Sequence, residues 1–216
     1  MTTLTSSRVA SLLDRLFAEA DATDRDIQDQ LAALAPAERT RLMGDYTALY
    51  ARAKENYLAV SRATGSLLYL LARSSRAKSI VEFGTSFGVS TLHLAAALAD
   101  NGGGRLVGTE LEPSKATRAR ANLVEAGLAD GVEIREGDAL TSLSRDLPAR
   151  IDLVLLDGAK SLYPRILALL EPHLGPGALV VADNADHSPE LLARLRESGS
   201  YLSVPFAADV EVSIRL

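Results

Sequence analysis

The sequence predicts an α/β fold in which five parallel strands are followed by an antiparallel hairpin. From Ser79 onward, short runs rich in β-branched residues alternate with longer amphipathic segments of helical spacing. Strands separated by helices form right-handed crossover units, which build a parallel sheet with helices on both faces. The last two strand-like runs are separated by too few residues for a crossover helix, so they must pair antiparallel.

The elements follow in a regular order. The parallel strands are predicted as SIVEF (79–83), RLVGTE (105–110), VEIRE (132–136), IDLVLLD (151–157) and ALVVAD (178–183). The helices are predicted at 88–99, 113–127, 139–146, 161–172 and 189–197, and the hairpin as YLSVPF (201–206) with DVEVSIRL (209–216). Residues 1–55 show helical spacing only, which predicts a helical N-terminal extension before a main domain at 56–216.

Composition limits the classes of function. The chain has 216 residues, of which 47% are hydrophobic, enough for one full-sized core. The net charge is −5 and the basic residues are scattered, which argues against a nucleic-acid partner. Cysteine is absent, so thiolate chemistry is excluded. No apolar run approaches the roughly 18 residues of a membrane span, and no signal peptide is recognisable, so we expect a soluble, cytoplasmic protein.

The loop after the first predicted strand, Gly84-Thr85-Ser86-Phe87-Gly88, has the position of a ligand-binding loop. In open α/β sheets, ligands bind at the carboxyl ends of the strands, and glycine allows a ligand to approach the backbone closely. The loop lacks the third glycine of a dinucleotide-binding motif and the Gly-Lys-Ser/Thr of a P-loop, so it matches neither well. A glycine pair that only forms a turn is the alternative.

Acidic residues stand at or next to the ends of three successive strands. Glu82 lies one residue before the end of the first strand, Glu110 ends the second, and Asp138 follows the third. Nucleoside-binding folds place a carboxylate on the ribose hydroxyls at the end of the second strand. Because three acids would repel a pyrophosphate, we expect a nucleoside that carries a positive charge.

Five motifs identify a family resemblance: VEFGTSFGVS, TELEP, EGDAL, DLVLLDGAK and LVVADN. In order and spacing they resemble the S-adenosylmethionine-dependent O-methyltransferases of the catechol and caffeoyl-coenzyme A type, over about residues 55–216. The resemblance implies a Rossmann-like seven-stranded methyltransferase sheet, in agreement with the predicted hairpin. It also implies a cofactor site made by Val60, Glu82, Gly84, Thr85, Ser86, Gly88, Ser90, Glu110, Asp138, Ala139 and Asp157.

Oxygen ligands follow two further strands. Asp157 closes the fourth strand, and Asp183 with Asn184 closes the fifth. Oxygen-only ligands suit a hard divalent cation, Mg²⁺ before Zn²⁺, although strand-end aspartates also cap turns. The resemblance implies that Asp157, Asp183 and Asn184 are the metal ligands. It implies a catalytic centre of Asp157 and Lys160, with Lys160 the proton partner of the acceptor hydroxyl; a solvated lysine at a helix start is the alternative.

The function implied by the resemblance is a divalent-cation-dependent methyl transfer from S-adenosylmethionine to a hydroxyl of a small, catechol-like acceptor, with S-adenosylhomocysteine as product. Two alternatives stay open: a metal-independent N- or O-methyltransferase of a small metabolite, and a non-catalytic S-adenosylmethionine-binding protein. Relatives imply a homodimer. We expect the N-terminal helices, with Tyr46, Tyr50, Lys54 and Tyr57, to form a pocket lid or a dimer arm. The Ala-Asp-His-Ser-Pro sequence after Asn184 departs from the family pattern and leaves the acceptor open.

Overall fold

Seven strands form one sheet in the order β3-β2-β1-β4-β5-β7-β6. The computed structural model of the chain describes residues 2–216. The strands are β1 (Ser79–Phe83), β2 (Arg105–Glu110), β3 (Val132–Glu136), β4 (Ile151–Leu156), β5 (Leu174–Ala182), β6 (Tyr201–Phe206) and β7 (Val210–Arg215). Strands β1 to β5 pair in parallel, and β7 pairs antiparallel with β5 and β6. The predicted parallel sheet and terminal hairpin are confirmed.

The helices connect the strands and precede them. They are α1 (Ser7–Ala32), α2 (Pro36–Gly44), α3 (Tyr46–Arg52), α4 (Arg62–Ser74), α5 (Val89–Asp100), α6 (Pro113–Ala126), α7 (Ala139–Ser142), α8 (Tyr163–Leu170) and α9 (Pro189–Glu197). Within residues 2–216, no helix is long and apolar enough to cross a membrane.

Two predicted helices were too long. The helix predicted at 139–146 ends at Ser142, and the chain turns further on, at Asp146, where φ is 52°. The helix predicted at 161–172 is α8 with a 3₁₀ turn at each end, Lys160–Leu162 and Glu171–His173. Pro172 has no N–H to donate within an α-helix, so it favours the change of geometry at the second turn.

Alternate side chains of the central strands enter two different cores. Val81 of β1 packs in a buried cluster with residues of α8 and α9, whereas its neighbour Ile80 packs with residues of α4 and α5. Successive side chains of a strand point to opposite faces, so both faces of the sheet are covered. Full burial of one such aliphatic side chain stabilises the fold by about 1.5–3 kcal/mol.

The N-terminal extension contacts the sheet domain at two places. Helix α1 buries Leu12 and Leu16 in a cluster shared with α5 and α6. Tyr46 and Tyr50 of α3 pack against the cluster that contains α8. The first helix therefore contributes to the core, while α3 lies near the carboxyl ends of the strands.

Candidate active site

A cleft of about 950 Å³, including its open mouth, lies at the carboxyl ends of the central strands. This is where the strand order reverses, between β1 and β4. Eight predicted site residues line it: Gly84, Ser86, Glu110, Asp138, Ala139, Asp157, Lys160 and Asn184. A smaller cavity shares Gly84, Ser86 and Asp157 with it, and its lining adds Val60, Thr85 and Ser90.

The glycine loop has its shape because two positions exclude larger residues. Gly84 has a φ of 98°, and a Cβ there would lie 2.4 Å from the main-chain oxygen of Asp157. Gly88 has a φ of 88°, stands at the N-cap of α5, and packs against Ala119. Gly88 lines neither cavity, so its place is in the packing of α5 on α6, and its predicted contact with a cofactor stays a prediction.

Glu82 is fully buried beneath this loop rather than exposed in the cleft. Its carboxylate accepts hydrogen bonds from the hydroxyls of Thr85 (2.9 Å), Ser90 (2.6 Å) and Thr91. Burial raises the pKa of Glu82, and the three hydroxyls act in the opposite direction. Glu82 thus ties the loop and the start of α5 to β1, and its predicted contact with a cofactor is untested.

The acids after β2 and β3 lie in the wall of the cleft. Glu110 accepts hydrogen bonds from the backbone N–H groups of Ser86 (2.7 Å) and Glu112 (2.9 Å). Asp138 is exposed and caps α7 by accepting from the N–H of Leu140 (2.9 Å). Both carboxylates are therefore held in place by this chain's own backbone.

Lys115 is a cleft residue that the sequence reasoning missed. Its side chain is only 2% exposed, lines the cleft near Glu110, and lies 5.5 Å from the centroid of the Phe87 ring. Burial lowers its pKa, while the charge of Glu110 acts the other way. The sequence feature that could have indicated its burial is its helical register, because Lys115 stands four residues before Ala119 on the buried face of α6.

The opposite end of the cleft contains the predicted catalytic pair. Lys160 Nζ lies 3.2 Å from Asp157 Oδ1, and both side chains are mostly shielded from solvent. The buried Tyr163 donates its hydroxyl hydrogen bond to the main-chain oxygen of Asp183 (2.8 Å). Burial raises the pKa of both Asp157 and Asp183, and the charge of Asp157 raises that of Asp183 further. Negative charge is in excess here, with Lys160 as its neighbouring cation.

The predicted metal ligands have a donor set that fits a hard cation. Two carboxylates whose charges act on one another attract a positive ion, and Asn184, which lines the cleft, can add an amide oxygen. Within residues 2–216 no cluster of three or more His, Cys, Asp or Glu side chains forms a metal-binding group, so a cation here would depend on Asn184 and water for further ligands. Asp183 itself is buried and is not part of the cleft lining; it directly precedes Asn184, which is.

Aromatic side chains of the extension cover part of the cleft. Tyr46 and Tyr50 of α3 line it, as does Leu58, which has a φ of 48°. Burial raises the pKa of Tyr50, and the charges of Asp157 and Glu110 raise it further. Of the four residues predicted for a lid or dimer arm, Tyr46 and Tyr50 line the cleft, Tyr57 lines the smaller cavity, and Lys54 lines neither.

Comparison with known proteins supports one family. Residues 81–185 match the family model described as a methyltransferase domain. A catechol O-methyltransferase of Niastella koreensis is 36% identical over 138 residues, 62% of each chain, and one of Mycobacterium tuberculosis is 36% identical over 63% of this chain and 61% of that protein. This chain thus spans less than two thirds of those relatives.

A solved structure agrees in fold. An O-methyltransferase of Streptomyces achromogenes involved in tomaymycin synthesis, solved in complex with S-adenosylmethionine, is 29% identical, with a TM-score of 0.65 over 81% of this chain and 89% of that one. The resemblance predicted from the motifs is confirmed as a similarity: residues 81–185 match a methyltransferase-domain model, and the seven-stranded fold is similar to that of a solved O-methyltransferase.

Proposed function

We propose that this chain is an S-adenosylmethionine-dependent O-methyltransferase that acts on a hydroxyl of a small, catechol-like acceptor with the help of a divalent cation. One observation carries the proposal: a single cleft joins Glu110, in the position of a ribose-binding carboxylate, to the Asp157–Lys160 pair. A methyl donor and an acceptor would therefore meet within one cleft, as group transfer requires.

The cofactor would bind along the β1–β2 side of the cleft. Glu110 is held by two N–H groups with its carboxylate at the wall, ready to accept from ribose hydroxyls. Asp138 and Ala139 border the next part of the wall, and Gly84 lets a ligand approach the backbone. Ser90 and Val60, in the adjoining small cavity, extend the site toward the methionine part.

Bound S-adenosylmethionine would supply a sulfonium methyl group, whose carbon–sulfur electron pair returns to sulfur as the acceptor oxygen forms the new carbon–oxygen bond. Lys160 stands at the wall where the acceptor hydroxyl must lie, and its amine, after releasing its own proton to solvent, would receive the hydroxyl proton. Asp157 orients the lysine through their 3.2 Å contact. Most of the rate would come from holding the two reactants in line, since little other chemistry is needed.

A divalent cation would be held by Asp157, Asp183 and Asn184, where it would favour the deprotonated form of the acceptor hydroxyl. The buried carboxylates support this assignment, because they repel one another with one lysine beside them. The hydrogen bond from the Tyr163 hydroxyl to the main-chain oxygen of Asp183 would hold this part of the backbone in place.

The acceptor side would be closed by α3. Tyr46 and Tyr50 line the same cleft as Lys160, and their aromatic rings would suit an aromatic acceptor. A catechol fits this end best, because two adjacent hydroxyls can face the cation site together. The homodimer implied by relatives stays a prediction, as does the division at residue 55.

Methyl transfer to catechol, with phenol as the one-hydroxyl control, tests the proposal. We expect methylated catechol from the full chain with S-adenosylmethionine and Mg²⁺, a rate lower by about tenfold or more with EDTA, and recovery with added Mg²⁺. Asp157→Asn should lose the Mg²⁺ response. Equal rates with and without EDTA would favour the metal-independent alternative, and cofactor binding without turnover on any phenol would favour the non-catalytic one.

A further inference from the structure

The turn between β6 and β7 reaches back to the end of β5 through one residue, Asp209. Its main-chain oxygen accepts a hydrogen bond from the N–H of Ala185 at 2.7 Å. Its side-chain Oδ2 accepts one from Nδ2 of Asn184 at 3.2 Å. The hairpin is therefore tied to the Asn184–Ala185 segment by two bonds, and the side-chain bond is the one that reaches Asn184, a wall residue of the cleft.

Asn184 needs support because its backbone is in an uncommon conformation. Its φ of 47° and ψ of 44° lie in the left-handed region, which asparagine adopts more readily than most residues. The main-chain bond from Ala185 to Asp209 holds this turn in place, whatever side chain stands at 209.

The side-chain bond determines which way the amide of Asn184 is turned. The amide carries a donor nitrogen and an acceptor oxygen on opposite sides. Because Asp209 accepts from the nitrogen, the oxygen is turned away from Asp209 and is left for a ligand of the cleft that Asn184 lines. Without Asp209, nothing in residues 2–216 that the structure shows would distinguish the two orientations.

A second nearby acid, Asp186, allows the effect of the hydrogen bond from Asn184 to Asp209 to be distinguished from the effect of negative charge. Asp186 acts on Asp183 through its charge, as Asp209 also does. Asp186 is exposed, however, and its side-chain contact is with His187 at 3.7 Å, not with Asn184. The two acids therefore share an electrostatic effect and differ in the hydrogen bond.

We propose that Asp209 is a positioning residue for the divalent-cation site: it holds the amide nitrogen of Asn184 so that the amide oxygen is presented as a ligand. The inference rests on the proposed cation site of the preceding section. It makes the C-terminal hairpin, whose sequence showed no site motif, part of the functional site.

Direct titration with Mn²⁺ tests the proposed role of Asp209 without any turnover. Binding is measured by calorimetry and by the electron paramagnetic resonance signal of free Mn²⁺. We expect Asp209→Ala to bind Mn²⁺ about 10- to 100-fold more weakly than the wild type, the range seen when residues that orient metal ligands are lost. Asp209→Asn keeps an acceptor for the amide nitrogen and should stay within about threefold of the wild type. Asp186→Ala, the matched control for charge, should do the same.

A double-mutant cycle with Asn184→Ala shows whether Asp209 acts through Asn184. In that background, Asp209→Ala should weaken Mn²⁺ binding by less than about twofold, because the oriented ligand is already gone. The affinity for S-adenosylmethionine and the melting temperature of Asp209→Ala should match those of the wild type, since the main-chain bond to Ala185 is retained.

Wild-type Mn²⁺ affinity in Asp209→Ala, or equal losses in Asp209→Ala and Asp186→Ala, would overturn the inference while leaving the proposed function intact. No Mn²⁺ binding by the wild type would overturn both the inference and the cation requirement, and the methyl-transfer assay would then show whether the transferase activity itself survives.

Discussion

The edge of the sheet at the carboxyl ends of the strands has two halves, and the acidic residues of the two halves have different partners. On the β1–β2–β3 side, each acid is met by neutral donors of this chain: three hydroxyls at Glu82, two N–H groups at Glu110 and one at Asp138. On the β4–β5 side, Asp157 and Asp183 share one lysine, and the charge of Asp157 raises the pKa of Asp183.

This difference indicates in which half the carboxylates have enough partners within this chain and in which half they lack them. A carboxylate that accepts several hydrogen bonds is held in one position, so the first half is preorganised to accept from the hydroxyls of a nucleoside. Two buried carboxylates with one cation beside them retain uncompensated charge, so the second half favours a positively charged ligand. The predictions that follow test whether the halves are separable.

The largest effect is expected in the second half, for Lys160→Met. Loss of a positioned proton acceptor should lower the rate of methyl transfer by about 10²- to 10⁴-fold. The dissociation constant for S-adenosylmethionine, measured by calorimetry, should change by less than about threefold, because the first half is untouched. Arg165→Met, which removes an exposed positive charge from α8, is the control and should keep the wild-type rate. A large change in cofactor affinity in Lys160→Met would show that the halves are coupled.

In the first half, Glu82→Ala should mainly lower stability. Three buried hydroxyls lose their acceptor, and one such loss costs about 1–3 kcal/mol, so the free energy of unfolding should fall by about 3 kcal/mol or more. Urea denaturation measures this. Glu136→Ala, which breaks the exposed ion pair with Arg120, should cost about 1 kcal/mol or less. Similar losses in the two variants would mean that Glu82 does not anchor the loop.

The smallest effect is a pH dependence from Glu82. Because burial raises its pKa in the folded state, the folded chain binds its proton more tightly than the unfolded chain. Its contribution to stability is therefore full below the unfolded pKa of about 4.5 and is lost as the pH rises through the folded value. Glu82→Gln removes this titration, so the stability of the wild type relative to the variant should decrease as the pH rises above about 4.5. Urea denaturation of both proteins across this range measures it, and a constant difference would contradict the raised pKa.

Much of the fold followed from local pattern. Alternation of β-branched runs with helices predicted five parallel strands, and the short connection before Val210 predicted the hairpin. The lengths of α7 and of α8 were wrong, because the end of a helix depends on single residues such as Pro172 and on the turn that follows.

The candidate site was predicted in part. Acids at strand ends can be read from the sequence, since parallel strands bring their carboxyl ends to one edge. Three features could not be read from the sequence, because each depends on how separate elements pack. They are the burial of Glu82 under three hydroxyls, the place of Lys115 in the cleft wall, and the contact of Asp209 with Asn184.

The sequence by itself determined the order of strands and helices, the edge of the sheet where ligands bind, and the chemical types of the residues there, because hydrophobic periodicity and turn residues are local properties. The tertiary structure alone decided which acids are satisfied by their own chain and which retain excess charge. That distinction depends on burial and on donors such as Ser90 and Lys160, which approach their acids only after the chain has folded.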